Sequence, residues 1–142
     1  MVLLLGGATT AREGTMHIEG IPEDASGGRY DTQASIFYGD VTAFPEAVIS
    51  VLMDDTEIRA VVLEWHTRDD YMKATSGVTV LQNDVTITSD SMEYFGESDE
   101  AHFLGNVVVE MEDGRFTGQR FILNLETEEM QFFGAFSGEF RD

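Results

Sequence analysis

A 29-residue pattern written twice between residues 77 and 134 constrains this chain more than any other feature. Slid by that offset, Val78 falls on Val107, Val80 on Val109, Ile87 on Phe116, Met92 on Phe121, Tyr94 on Leu123, Phe103 on Phe132 and Gly105 on Gly134. One period earlier the pattern meets Ile49, Val51, Ile58, Leu63 and Trp65, and a fainter copy holds Ala34 and Ile36. Units repeated at fixed spacing bury their apolar faces only by stacking on neighbours. About four degenerate strand-turn repeats are therefore expected.

Each copy alternates apolar and polar residues, so that Val78 shares one strand face with Val80, Met92 with Tyr94, and Phe121 with Leu123. Between the strands stand polar tips, Thr67-Arg-Asp-Asp, Gly96-Glu-Ser-Asp and Leu125-Glu-Thr-Glu, which are hairpin signals. The run from Tyr30 predicts a further strand with Ala34 and Ile36 on its apolar face, followed by a turn at Gly39 and Asp40. No window sustains a 3.6-residue period long enough for a helix. An all-β class follows. Stacked by the repeat, Ile58, Ile87 and Phe116 form one row, Leu63, Met92 and Phe121 a second, and Trp65, Tyr94 and Leu123 a third. Such rows suit either a dry core or the wall of a groove.

At 142 residues the chain is expected to form one domain, with one exception at its start. Residues 1–15 open on an apolar run and pass into small residues, like a signal or membrane-anchor remnant, and are too short to span a bilayer. The 27 acidic residues against eight Lys and Arg leave a net charge of −19. A nucleic-acid binder needs a basic track to release phosphate counterions, so no nucleic-acid partner is expected. The absence of cysteine excludes disulfides and thiolate chemistry.

The acid pairs, such as Asp54-Asp55 and Asp69-Asp70, fall at hairpin tips and read as solvated turns. His17, His66 and His102 lie far apart and in no metal-binding spacing. No nucleophile elbow or phosphate loop occurs. No catalytic residue, metal or cofactor is expected, and the chain is read as a non-enzyme.

The segments Gly105-Asn-Val-Val-Val-Glu-Met-Glu-Asp-Gly-Arg-Phe-Thr-Gly-Gln-Arg-Phe and Val85-Thr-Ile-Thr-Ser-Asp-Ser-Met-Glu-Tyr, with the closing Phe136-Ser-Gly-Glu-Phe, resemble the periplasmic lipopolysaccharide-export proteins of the OstA-like superfamily. In that pattern a Gly-Asn-Val strand start precedes a polar turn and an alternating strand. The run Tyr30-Asp-Thr-Gln-Ala-Ser-Ile-Phe-Tyr-Gly-Asp-Val is more similar to the inner-membrane-anchored component C than to the bridge component A. The resemblance implies a twisted β-jelly roll of two facing antiparallel sheets over residues 16–142, located in the periplasm, with or without an inner-membrane anchor. It also implies that acyl chains of lipopolysaccharide or another acylated lipid are held between the sheets. Ile58, Leu63, Trp65, Val80, Ile87, Met92, Tyr94, Phe103, Val109, Phe116, Phe121, Leu123 and Phe132 are the expected lining. Other jelly-roll export proteins would join edge to edge, and an inner-membrane ATP-driven transporter would supply energy.

Magnitude decides whether the acidic surface forbids such a ligand. A twelve-carbon chain offers on the order of 9 kcal/mol at about 0.8 kcal/mol per buried methylene, whereas exposed carboxylates act on a lipid phosphate only within about 8 Å at physiological salt. Burial wins if the headgroup stays outside. Two other classes fit the same residues: a structural or adhesive β-repeat with a closed core, and a carbohydrate-binding sandwich or hydrolase with Trp65 and Tyr71 as stacking platforms.

Overall fold

A computed structural model describes residues 16–24 and 26–141. The expected remnant at residues 1–15 lies outside the described residues. Among those described, all regular structure is strand: β1 Met16–Ile21, β2 Gly28–Asp31, β3 Ile36–Asp40, β4 Val48–Met53, β5 Thr56–His66, β6 Tyr71–Gln82, β7 Val85–Ser89, β8 Ser91–Phe95, β9 Glu100–Met111, β10 Gly114–Asn124 and β11 Met130–Phe140. All pairings are antiparallel and join into one 11-stranded sheet.

That sheet is folded along a crease that crosses its long strands. On one side β1, β4, residues 56–60 of β5, 78–82 of β6, β7, 108–110 of β9, 114–118 of β10 and 136–140 of β11 pair in succession. On the other side β2, β3, residues 62–66, 71–74, β8, 100–104, 120–124 and 130–133 pair in the same order. The two halves face each other as layers, and Phe116 of the first meets Phe132 of the second with ring centroids 4.7 Å apart. This is the expected all-β jelly roll of facing antiparallel layers.

One device, a bulge, turns the corner. Opposite the single residues Val61 of β5 and Gln119 of β10 the register shifts, because β6, β9 and β11 each carry one residue more there. Such an extra residue bends the strand that holds it. The bulged pairs are left-handed, Ser76 with Gly77 in β6 and Gly105 with Asn106 in β9, and in β11 Gly134 is left-handed. The crease is stitched by Gly77 N–H donating to the Asp90 carbonyl at 3.2 Å and Asp90 N–H to the Gly105 carbonyl at 2.9 Å. The glycines that sequence places at strand starts thus lie in mid-strand, because β6 and β9 continue through them.

Gly105 has φ 88°, and an added Cβ would stand 2.5 Å from Asp90 Oδ2. At Gly77, with φ 95°, nothing lies within 4 Å of the same atom. Gly105→Ala is expected to cost about 1–3 kcal/mol through backbone strain and the displaced carboxylate. Gly77→Ala should cost less, from backbone strain alone. Urea unfolding of both variants checks this, and an equal loss would mean that Asp90 yields freely.

The first copy departs from its expected register. Asp31 Oδ1 accepts from the backbone N–H groups of Gln33 and Ala34 at 3.0 Å each, which closes a turn and splits the predicted strand into β2 and β3. Phe37, opposite Trp65, then packs on the core, while Ile36 pairs with His66 on the other face. Gly39 and Asp40 lie within β3 and make no turn.

Candidate functional site: the inner walls of the roll

The thirteen residues expected to line a groove all stand on the inner walls. Cross-strand register arranges them in three continuous rows, in which successive copies of the repeat interleave. The first layer carries Ile58, Val80, Ile87, Val109 and Phe116. The second carries Leu63, Ala74, Met92, Phe103, Phe121 and Phe132, and beside them Trp65, Met72, Tyr94, Ala101, Leu123 and Met130. Met72, Ala74, Ala101 and Met130 complete these rows. Sequence reasoning left them out, although the 29-residue offset maps Ala74 onto Phe103 and Met72 onto Ala101.

Burial divides the thirteen. Ile58, Leu63, Val80, Ile87, Met92, Tyr94, Phe103, Val109, Phe121 and Leu123 are each at most 1% exposed, so the walls meet and fill the middle of the roll. Trp65, Phe116 and Phe132 are only partly buried and stand towards the ends. Opposite the crease the layers are clasped: Gln82 Nε2 donates to the Leu125 carbonyl at 3.1 Å and contacts Thr56 Oγ1 at 3.3 Å. Tyr94 donates its hydroxyl to Asp99 at 3.2 Å below this clasp. Buried polar groups held in this way are satisfied and do not penalise the core.

Both ends of the interior are open. Between β1, β4, β2 and β3 lies a recess of about 430 Å³ lined by Ile18, Gly27, Phe37, Val41 and Ile49, among others. At the other end β11 is an edge strand, and its inward aromatics find no cover. Phe136 stacks on Phe132 at 5.0 Å and Phe140 meets Phe116 edge-on at 5.3 Å, yet they remain 57% and 66% exposed. The chain of ring contacts therefore runs from buried Phe103 through Phe121 and Phe132 to open Phe136.

The outer face of the second layer is different in character. Glu64 bonds His66 at 2.6 Å and Glu100 bonds His102 at 3.0 Å, flanking a stack of His66, Tyr71, Phe95 and His102. Trp65 lies on the inner wall and Tyr71 on this outer face, so they cannot form one sugar-stacking platform, because neighbouring strand residues alternate sides. Among the described residues no three His, Asp or Glu side chains converge for a metal ion. A recess of about 590 Å³ on this face is lined by Lys73, Ser91, Glu93, His102, Leu104 and Arg120, among others.

Tyr71 is pushed up to about 12, by burial first and then by donating a 2.5 Å hydrogen bond to Glu93, which favours the neutral phenol. The folded state thus holds this proton more tightly than the unfolded chain. The resulting stability is complete below pH 10 and is lost between about 10 and 12. Unfolding free energy is expected to decline across that window in the wild type and more shallowly in Tyr71→Phe. Denaturant titrations at stepped pH measure both.

Two facing layers whose apolar rows pack wall against wall at the centre and end in partly buried aromatics define the architecture of a β-jelly roll. No family model and no curated protein matches the chain. Among solved structures it is similar to LptH from Pseudomonas aeruginosa, described as the LptA-homologous periplasmic component of the lipopolysaccharide transport device. The TM-score is 0.71 at 10% identity, over 87% of this chain and 85% of that one. At such identity the similarity establishes the shared fold.

Proposed function

We propose that this chain is a periplasmic lipopolysaccharide-transport protein, without enzymatic activity, that shields lipid acyl chains between its layers and passes them to an adjoining jelly roll. One observation carries the reading. In a fold shared with a lipopolysaccharide-transport component, the inner aromatic row does not end in a cap but opens to solvent at Phe136 and Phe140. A closed structural core would gain by covering that surface, since apolar burial is worth about 25 cal/mol per Å². Its partners in this reading are lipopolysaccharide or another acylated lipid, further jelly-roll export proteins and an inner-membrane ATP-driven transporter. The likeness of residues 30–41 to component C supports, within this reading, a position at the inner-membrane end of such a chain of rolls.

A second reading, a structural or adhesive repeat with a closed core, is favoured by the full burial of ten of the thirteen wall residues. Lipid extraction of the purified protein followed by mass spectrometry separates the two, with a photocrosslinker placed at the partly buried Phe132. Transport predicts an acylated lipid in the extract and a crosslink to lipopolysaccharide. An empty extract and no crosslink would leave the structural repeat.

A further inference from the structure

Among the described residues one buried side-chain polar atom has no hydrogen-bond partner, the indole Nε1 of Trp65. Buried polar groups are almost always paired, and the exception asks for a reason. Other buried polar side chains among the described residues are paired: Gln82 bonds the Leu125 carbonyl, Tyr94 bonds Asp99, and Ser89 bonds the Ser91 carbonyl. Indole is a donor only, so its missing partner must be an acceptor.

The position of Trp65 says which acceptor fits. It stands on the inner wall between Phe37 and Met72, one step further from the crease than Leu63. Its ring packs on the core while part of the side chain reaches solvent, so it sits at the rim of the space between the layers. Beside it Phe37 lines the apolar recess at the β1–β4 and β2–β3 end. A molecule whose hydrocarbon enters that recess and whose polar head stays in water presents its carbonyl at the junction of the two.

We infer that the Trp65 indole N–H donates to the ester or amide carbonyl oxygen that links an acyl chain to its headgroup. This inference rests on the acyl-shielding reading above and adds to it a recognition point: the wall distinguishes acyl from alkyl chains. Both ether and ester ligands gain the same apolar burial. Only the ester supplies a carbonyl acceptor; the ether oxygen lies within the chain and does not reach the carbonyl's position, so the ether ligand leaves the donor buried and unpaired.

The chain contains one tryptophan, so its fluorescence reports this site alone. Delipidated protein is titrated, below the micellar range, with dodecanoyl lysophosphatidylcholine and with its ether-linked analogue of equal chain length. The wild type is expected to bind the ester about three- to tenfold more tightly, the range of one hydrogen bond. The ester alone should shift emission to the red. Trp65→Phe keeps an apolar ring without the donor and should bind the two ligands equally, by calorimetry. Equal binding of both by the wild type overturns this inference and leaves the shielding reading intact. Binding of neither overturns the shielding reading and the inference with it. A preference for the ester that persists in Trp65→Phe places the acceptor's partner elsewhere and overturns the inference alone.

Discussion

Replacing Phe121 by alanine is expected to lower the unfolding free energy by about 3–5 kcal/mol, the range for truncating a buried phenylalanine. The residue is 1% exposed and lies between Phe103 and Phe132, at centroid distances of 5.6 and 5.2 Å. Its ring is held from both sides within the second layer. Collapse around the deletion is opposed by the clasp of Gln82 on Leu125, which fixes the separation of the layers at their mouth. Total stabilities of single domains are about 5–15 kcal/mol, so this loss removes a large share. A fall in melting temperature on the order of 10 °C should accompany it. Urea unfolding of delipidated protein is the measurement. A cost below about 1.5 kcal/mol would mean that the ring is not packed in solution and that the layers stand apart without lipid.

The rows were legible before the structure because the repeat period is the length of one excursion across both layers and back. Residues 29 apart therefore occupy equivalent wall positions, and the offset alone places Leu63, Met92 and Phe121 in line. Hairpin tips were legible for a local reason. At the tip after β10, for example, Asn124 Oδ1 accepts from the N–H groups of Glu126 and Thr127 at 2.9 Å each. The crease was not legible. Gly77 and Gly105 break the apolar run as a strand start would, and only the pairing of residues on both sides shows that one strand passes through. In the first copy the side chain of Asp31 competes with the strand for backbone N–H groups, which moves the inward position from Ile36 to Phe37. A one-residue change of this kind reverses the face of every side chain that follows.

The site was legible in part for the same reason. Alternation tells which side chains share a wall, but not whether the opposite wall touches them. Ten of the expected lining residues are packed wall against wall, and the exposed inner surface lies instead at Phe136 and Phe140, beyond the last full repeat. Satisfaction of the Trp65 donor is a property of its surroundings in space, and the sequence pattern around it carries no trace of it.

Substituting both Phe136 and Phe140 by aspartate is expected to weaken edge-to-edge association of the roll by at least about a hundredfold while leaving its fold intact. The fold survives because both side chains are already more than half exposed, and the contacts they lose are with Phe132 and Phe116 at an open end. Association suffers because a strand that extends the sheet past β11 would cover these rings. If each ring still offers roughly 100 Å², the pair contributes on the order of 5 kcal/mol at 25 cal/mol per Å², or more than a thousandfold in affinity. Part of this is offset by ordering on contact. The new carboxylates add to a chain already at −19, so the repulsion they introduce should weaken as salt rises, whereas the lost apolar term should not return. Sedimentation velocity at two salt concentrations therefore separates the contributions. Persistent assembly of the double variant at low salt would place the contact on the opposite edge, at β1 or β2, and not at the aromatic end of the inner wall.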